Sequence, residues 1–185
     1  MGITSYTDKI IGELSRSLRA VPEDAVEQLA EGILASRKIF VAGAGRSGLM
    51  MKALAMRLMQ AGLDAHVVGE TITPGIAKED MLIIGSGSGE TSSLLSMAGK
   101  AGGIGATVVL ATISPASSIG KLADIVIPIP ASPKERTGEG EVTVQPMGSL
   151  FEQSILLLFD ALILRLMDHR KLDSSSMFGN HANLE

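Results

Sequence analysis

Hydrophobic residues near the start of the chain recur at helical spacing. Ile10, Leu14 and Leu18 share one face of a first helix, and Pro22 opens a second helical pattern. From Lys38 onwards the pattern changes to short, continuous apolar runs, most of which lead into a turn and a helical stretch. The sequence therefore predicts two N-terminal helices followed by alternating strands and helices.

Five apolar runs have the length of strands and show no alternation with polar residues. They span residues 38–42, 65–68, 81–84, 107–112 and 125–129. Strands that are apolar on both faces are typical of parallel sheets that helices cover on both sides. We therefore predict a single α/β domain over residues 1–185. It has a doubly wound, five-stranded parallel sheet of flavodoxin-like strand order in residues 37–130, behind two helices in residues 1–36.

The remaining helical patterns alternate with these strands. They cover residues 49–61, about 91–101, a short stretch near Ile119, and 149 to about 169 within a long C-terminal helical segment, 147–170. A polar loop rich in proline and glycine, 130–144, precedes this last helix, and the tail, 171–185, looks irregular. Ligands of doubly wound sheets bind outside the carboxyl ends of the strands. Two glycine-rich turns, 43–48 and 85–91, follow strands and are the candidate binding loops.

The first turn, Gly43-Ala44-Gly45-Arg46-Ser47-Gly48, matches G-x-G-x-x-G between a strand and a helix. With Glu70 at the end of the next strand, this pattern is typical of a dinucleotide site. A tight turn whose glycines only permit close packing is the structural alternative. An anion at the start of the helix would meet Gly45 and Ser47, whereas Arg46 would either pair with it or lie in solvent.

The second turn lies in IIGSGSGETSS, from Ile83 to Ser93, and combines hydroxyl groups with glycines and no basic residue. Hydroxyls, backbone N–H groups and the N-terminus of a following helix can bind phosphate without a lysine. The residues that would line such a site are Ser86, Gly87, Ser88, Gly89, Glu90 and Thr91. Glu90 is unexpected beside an anion and must either point outward or orient a neighbouring hydroxyl. One hydroxyl is also expected to cap the helix at Thr91, but capping leaves most of the others unexplained.

Two neighbouring anion-binding turns favour a sugar phosphate over larger phosphate ligands. The chain is short for the two mononucleotide-binding halves that a dinucleotide needs. The second turn also lacks the G-K-[ST] ending of a nucleoside triphosphate loop. A dinucleotide-dependent oxidoreductase nevertheless stays open as an alternative.

The composition limits the partners and the cofactors. The 185 residues fit one domain, and 16 basic residues are spread among 20 acidic ones for a net charge of −4, which does not suit a nucleic-acid surface. No apolar run reaches the length of a membrane span, and no signal peptide is evident. With the absence of cysteine, this predicts a cytoplasmic protein that binds neither membrane nor nucleic acid. No metal-ligand spacing occurs, so we expect a site without metal or cofactor.

Four segments together resemble the SIS (sugar isomerase) family: AGAGRSG, GSGSGETSS, PMGSLFEQ and HANLE. The resemblance covers essentially the whole chain, and the last segment and the single-domain length point to the branch that isomerises hexulose phosphates. It implies interconversion of arabino-3-hexulose 6-phosphate and fructose 6-phosphate through a cis-enediol, in the ribulose monophosphate route of formaldehyde fixation or detoxification. It further implies a homo-oligomer, typically a tetramer, with active sites near subunit contacts.

Such an isomerisation needs a base that removes a proton beside a carbonyl and returns it to the adjacent carbon. The SLFEQ resemblance assigns this role to Glu152, in the first turn of the last helix. From the residues alone, Ser149-Leu150-Phe151-Glu152 is also a capping box, in which the Glu152 carboxylate would accept from the Ser149 backbone N–H. A catalytic Glu152 should therefore point away from that amide, into the pocket. The phosphate would then be held by Ser47, Ser86, Ser88 and Thr91.

Histidine is the other candidate for acid–base chemistry, and the sequence contains three. His181 lies in the polar tail, which would thus contribute to the site. There it would assist ring opening or polarise the carbonyl, in its own or a neighbouring subunit's site; a terminal histidine without a role is the alternative. His66 falls within a predicted strand and His169 closes the last helix, so we expect both to be structural.

Two other functions within the family stay open. Arabinose 5-phosphate isomerases usually carry a pair of regulatory domains after the SIS domain, and the sequence shows none. Sugar-phosphate sensors without catalysis usually add a DNA-binding helix-turn-helix, whereas the N-terminal helices here lack clustered basic residues. The presence of Glu152 also argues against a sensor.

Overall fold

A computed structural model of the protein describes residues 2–132 and 143–184. In chain order the elements are α1 (Ile3–Arg19), α2 (Glu23–Ala35), β1 (Ile39–Gly43), α3 (Gly45–Gln60), β2 (Ala65–Val67), β3 (Met81–Gly85), α4 (Ser92–Ile104), β4 (Thr107–Thr112), β5 (Ile125–Pro128), α5 (Ser149–Arg170) and α6 (Ser174–Phe178). The loop predicted over 130–144 lies mostly outside the described residues. Each predicted strand is present, with bounds that differ by at most one residue at either end.

The five strands form one parallel sheet in the order β2-β1-β3-β4-β5. This confirms the predicted doubly wound sheet of flavodoxin-like order. From β1 the chain adds β2 toward one edge of the sheet, and from β3 onward it adds strands toward the other edge. Such folds bind ligands at this switch point, between β1 and β3. Gly43, the last residue of β1, pairs in register with Gly85, the last residue of β3. Both glycine-rich turns therefore leave the same edge of the sheet side by side.

Helices cover both faces of the sheet, which explains why its strands are apolar without alternation. On one face, α2, α3 and α5 share a core with the strand residues Ile39, Val41, Met81, Ile83, Val109, Ala111 and Ile127. On the other, α4 packs on Phe40, Ala42, Leu82, Ile84, Val108 and Leu110. α5 contributes buried Phe151, Ile155 and Phe159 to the first core, so its N-terminal half is fixed against the sheet.

Three local expectations need correction. The short helix near Ile119 is absent, and residues 115–122 form turns in which the Ile119 N–H donates to the Gly89 carbonyl instead. The tail is not wholly irregular, because the Asp173 side chain caps the short helix α6. α1 is amphipathic as expected, but Leu14 and its apolar neighbours are only half-buried. The residues that α1 buries fully are Glu13 and Ser17.

A helix that spans a membrane needs about 20 consecutive, predominantly apolar residues. Within residues 2–132 and 143–184, no helix combines the length and the apolarity needed to cross a membrane. α5 is the longest, but polar and charged residues interrupt it along its length.

Candidate active site

The first glycine-rich turn is shaped by the close approach of two glycines. A Cβ on Gly48 would lie 2.8 Å from the Gly43 carbonyl oxygen, and a Cβ on Gly43 would lie 3.0 Å from the Gly48 backbone. The packing role is therefore real at these two positions. α3 begins at Gly45, four residues earlier than predicted, and places Arg46 and buried Ser47 in its first turn. Because the first turn of a helix leaves N–H groups without helical partners, the start of α3 at this edge of the sheet is a candidate anion site.

The second turn holds its shape with its own hydroxyls. Ser86 is buried, and its Oγ accepts from the Gly89 N–H at 3.2 Å, while Ser88 Oγ accepts from the Glu90 N–H at 3.2 Å. Thr91 is the N-cap residue of α4, but among the described residues its side chain makes no capping bond. The expectation that one hydroxyl of this turn caps α4 is therefore wrong. The Thr91 hydroxyl and the first-turn amides of α4 are available to an anion. We call this turn and the first one, residues 43–48 and 85–91, the phosphate loops.

Glu90 points away from the phosphate loops and into a neighbouring turn. Its Oε1 accepts from the Ser118 N–H at 2.7 Å. Hydrogen bonds from the Ser118 backbone and hydroxyl lower the pKa of the Glu90 carboxyl. The carboxylate is thus occupied in joining two turns, which removes the difficulty of an acid beside an anion site. Gly87, in the same phosphate loop, is bound to a neighbouring strand. Its carbonyl accepts from the hydroxyl of Thr112, the last residue of β4, at 3.1 Å.

Glu152 lies buried at the start of α5 and does not form the capping box. The Ser149 N–H donates to the Pro146 carbonyl at 2.9 Å, and Gly148, not Ser149, is the N-cap residue. The Glu152 Oε2 accepts instead from Arg46 Nη1 at 2.9 Å, and the same nitrogen donates to Ser149 Oγ at 2.9 Å. The capping interpretation is therefore wrong. The carboxylate points away from the Ser149 amide, toward the first phosphate loop.

The ion pair between Arg46 and Glu152 joins the starts of α3 and α5. The Glu152 side chain is 4% exposed and that of Arg46 is 46% exposed, so the guanidinium lies between solvent and a buried carboxylate. The sequence predicts that Arg46 either pairs with phosphate or lies in solvent, and the pair with Glu152 was not predicted. The two residues are 106 positions apart, and no local pattern connects them.

His181 lies far from Glu152 of the same chain. Its ring stacks on Phe178 with centroids 5.8 Å apart, and it lines a cavity of about 370 Å³ between α3, α5 and α6. The first α5 residue in this cavity is Asp160, eight positions after Glu152 and roughly 12 Å further along the helix. The opposite wall includes Arg57, near the C-terminal end of α3. We call this space the tail cavity.

The two other histidines and the acidic residues define no further site. His66 packs its ring against Phe40 in the sheet at a centroid distance of 5.4 Å, and His169 lies in the last turn of α5. In the part of the chain that the structure describes, no three histidine, aspartate or glutamate side chains gather as metal ligands would. The phosphate loops and the buried Glu152 therefore form the candidate site.

Comparison with known proteins gave consistent results. The family model of the SIS domain matches residues 32–163. The chain is 53% identical to the 3-hexulose-6-phosphate isomerase of Bacillus subtilis (strain 168), over the whole of both chains. It is 39% identical to the 3-hexulose-6-phosphate isomerase of Mycobacterium gastri, over 99% of this chain and 92% of the relative. A crystal structure from Methanococcus jannaschii, whose molecular function was inferred as 3-hexulose-6-phosphate isomerase, has a TM-score of 0.85 at 32% identity. That match covers 97% of this chain and 98% of the other.

Proposed function

This chain belongs to the SIS domain family, and we propose that it interconverts arabino-3-hexulose 6-phosphate and fructose 6-phosphate. The similarity to two curated 3-hexulose-6-phosphate isomerases over nearly the full chain supports this substrate. The observation that carries the catalytic part of the proposal is the position of Glu152. It is a buried carboxylate that faces the phosphate loops and leaves its own helix terminus uncapped.

The phosphate group is proposed to bind between the two phosphate loops. Ser47, Ser86, Ser88 and Thr91 would supply hydroxyls, and Gly45, Gly87 and Gly89 would let backbone N–H groups approach closely. The N-termini of α3 and α4 meet at this edge because their strands are neighbours, and two helix dipoles favour a doubly charged anion there. No lysine is required, and none lies in either loop.

Glu152 is proposed to move the proton. Starting from the 3-ketose, its carboxylate removes the proton on C2, and the electron pair forms the C2–C3 double bond of a cis-enediol as the carbonyl oxygen on C3 gains a proton. Return of the proton to C3, with loss of the O2 proton, gives the 2-ketose. Arg46 lies next to this carboxylate and can donate to the oxygen that becomes negative in the transition state.

His181 is proposed to act on a neighbouring subunit. The tail cavity lies too far along α5 for this ring to reach Glu152 of its own chain. The three helices that form the cavity, α3, α5 and α6, carry exposed apolar side chains that are suited to a contact between copies of the chain: Met56, Met59, Leu157, Leu164 and Phe178. We therefore propose a homo-oligomer, most simply a tetramer, in which one subunit's tail completes another's site. We further propose a cytoplasmic role in formaldehyde fixation or detoxification by the ribulose monophosphate route.

The proposal is tested by following fructose 6-phosphate in deuterated water with EDTA present. Wild-type protein should form a 3-ketose that carries deuterium at C2, detected by NMR. Glu152→Gln keeps the shape of the side chain and should lower this rate about 10²- to 10⁴-fold, because general-base catalysis contributes that much. Glu31→Gln, an exposed glutamate on α2, is the matched control and should keep the wild-type rate.

Three outcomes would contradict the proposal and point to the alternatives. Conversion of arabinose 5-phosphate in place of the hexulose phosphate would identify the other isomerase. Tight binding of a sugar phosphate without any exchange would make the protein a sensor and Glu152 a structural partner of Arg46. A rise in melting temperature with NAD, and none with sugar phosphates, would indicate an oxidoreductase.

A further inference from the structure

The N-terminal helix α1 buries two residues, and both are polar. Glu13 and Ser17 are 8% and 4% exposed and lie one turn apart on the same face. Buried positions on a surface helix are normally apolar, and a buried carboxylate is costly unless it is fully hydrogen-bonded. This face of α1 therefore serves something other than general hydrophobic packing.

The Glu13 carboxylate holds the chain segment that leads into α5. Thr143 Oγ1 donates to its Oε2 at 2.6 Å and Gln145 Nε2 donates to the same oxygen at 2.9 Å, while the Val144 N–H donates to Oε1 at 2.8 Å. Burial alone raises the pKa of this carboxyl, but these three bonds and the charge of Arg16 together hold the pKa below its ordinary value. The ionised carboxylate, which can only accept, fits this set of donors.

The segment that Glu13 holds ends at the turn from which α5 begins. Met147 has φ +22° and Gly148 has φ +80°, so the turn contains a non-glycine residue in the left-handed region. Such a conformation persists only where the surrounding structure fixes it. The Pro146 carbonyl then accepts from the Ser149 N–H at 2.9 Å, which starts the helix that carries Glu152.

Ser17 contacts α5 itself, just after its first turn. Its Oγ accepts from Ser154 Oγ at 3.1 Å, and the Ser154 side chain is fully buried. Ser154 follows Glu152 by two positions. One face of α1 thus contacts the chain before the first turn of α5, through Glu13, and directly after it, through Ser17.

We propose that Glu13 and Ser17 are positioning residues for the base Glu152: they set the axial and rotational position of the first turn of α5 against the phosphate loops. The inference rests on the proposed function for its catalytic meaning. An apolar pair at these positions could stabilise the fold as well, since buried ionic groups are weak sources of stability. Directed hydrogen bonds, by contrast, fix a catalytic group to within a fraction of an ångström.

The experiment compares Glu13→Gln, Ser17→Ala and the control Asp8→Asn. Asp8 is an exposed acid on the same helix, so its variant makes the same charge change without touching α5. For Glu13→Gln, which turns one acceptor oxygen into a donor, we expect kcat to fall about 10- to 100-fold while KM stays nearly constant. Misplacement of a catalytic group by about 1 Å costs that much. Ser17→Ala should show a smaller fall of the same kind, and Asp8→Asn none.

A second readout does not depend on catalysis. Hydrogen–deuterium exchange of the amides in residues 149–154 should become faster in Glu13→Gln and stay unchanged in Asp8→Asn. The inference would be overturned if the wild type is active and a folded Glu13→Gln variant has the wild-type kcat. If wild type converts no hexulose phosphate, the proposed function fails, and unchanged exchange at 149–154 would then overturn the positioning role independently. If Glu13→Gln does not fold, Ser17→Ala decides by the same two measurements.

Discussion

The two candidate catalytic groups lie near opposite ends of α5: Glu152 in its first turn, and His181 in the tail that follows it. These two regions are built in opposite ways. The base end comprises the phosphate loops and residues 149–152. Ser47, Ser86 and Glu152 are buried there, and Glu152 is bound by Arg46 of the same chain. The tail end, residues 171–184, contains α6, which buries no residue, and an exposed His181. Asn180 Nδ2 donates to the Gln60 carbonyl at 3.0 Å, which attaches the tail to α3. The tail residues Met177, Phe178 and His181 also line the tail cavity together with residues of α3 and α5.

In the proposed function, this difference separates the part of the site that one chain supplies from the part that a second subunit would complete. At the base end, the carboxylate of Glu152 already has its partner Arg46, and the backbone N–H groups of two helices already converge. At the tail end, the His181 imidazole stacks on Phe178 in an exposed segment, and the described residues that line its cavity do not include Glu152. The proposed second subunit would supply what is missing there.

The largest expected effect comes from adding a methyl group at the base end. Gly89 has φ +65°, and its Cβ would lie 1.9 Å from Ser117 Oγ. Gly89→Ala should therefore lower the free energy of unfolding by about 2–5 kcal/mol, from left-handed backbone strain and overpacking together. The control is Gly179→Ala in the tail, where φ is −59° and the heavy atom nearest to a Cβ, the Ser176 carbonyl oxygen, is 3.4 Å away. Urea unfolding that gave equal stabilities for both variants would remove the contrast between the two ends.

The base end also shows which features can be predicted from the sequence and which cannot. Glycines between an apolar strand and a helix predicted both phosphate loops, because few other residues fit such turns. The parallel order of the strands followed from apolar runs without alternation. The partner of Glu152 did not follow, since SLFEQ fits a capping box locally and only the tertiary position of Arg46 draws the carboxylate away. Glu13 was overlooked for a similar reason: among the apolar positions of α1 it reads as a solvent-exposed residue.

The next prediction tests whether His181 of one subunit and Glu152 of another belong to one active site. His181→Gln should lower kcat about 10²-fold if the imidazole takes part in proton transfer, whereas His169→Gln, exposed at the end of α5, should not. Mixed oligomers of His181→Gln and Glu152→Gln subunits should regain roughly a quarter of wild-type activity. In random mixing, one site in four combines an intact base with an intact neighbouring tail. No recovery on mixing would place both groups in one subunit or His181 outside the site.

The tail was the least predictable region because little of it is buried. DSSS reads as a polar loop, yet Asp173 Oδ1 accepts from the Ser176 N–H and from the hydroxyls of Ser175 and Ser176 and so starts α6. The signal was present as an N-cap residue followed by serines. Without apolar periodicity after it, a helix of one turn could not be told from a turn.

The smallest expected effect concerns this cap and depends on pH. Hydrogen bonds from the Ser176 side chain and backbone and from Ser175 lower the pKa of Asp173 to about 2. A carboxyl whose pKa is lowered on folding stabilises α6 above its unfolded pKa of about 3.9, and this contribution is lost as the pH falls through the folded value. The Ser176 amide resonance should therefore shift as the pH is lowered from about 4 toward about 2. Asp173→Asn keeps a capping oxygen but cannot titrate, so its Ser176 resonance should not show this shift. Identical pH profiles in the two proteins would mean that the cap is not formed in solution, and that the tail end depends on the Asn180 contact instead.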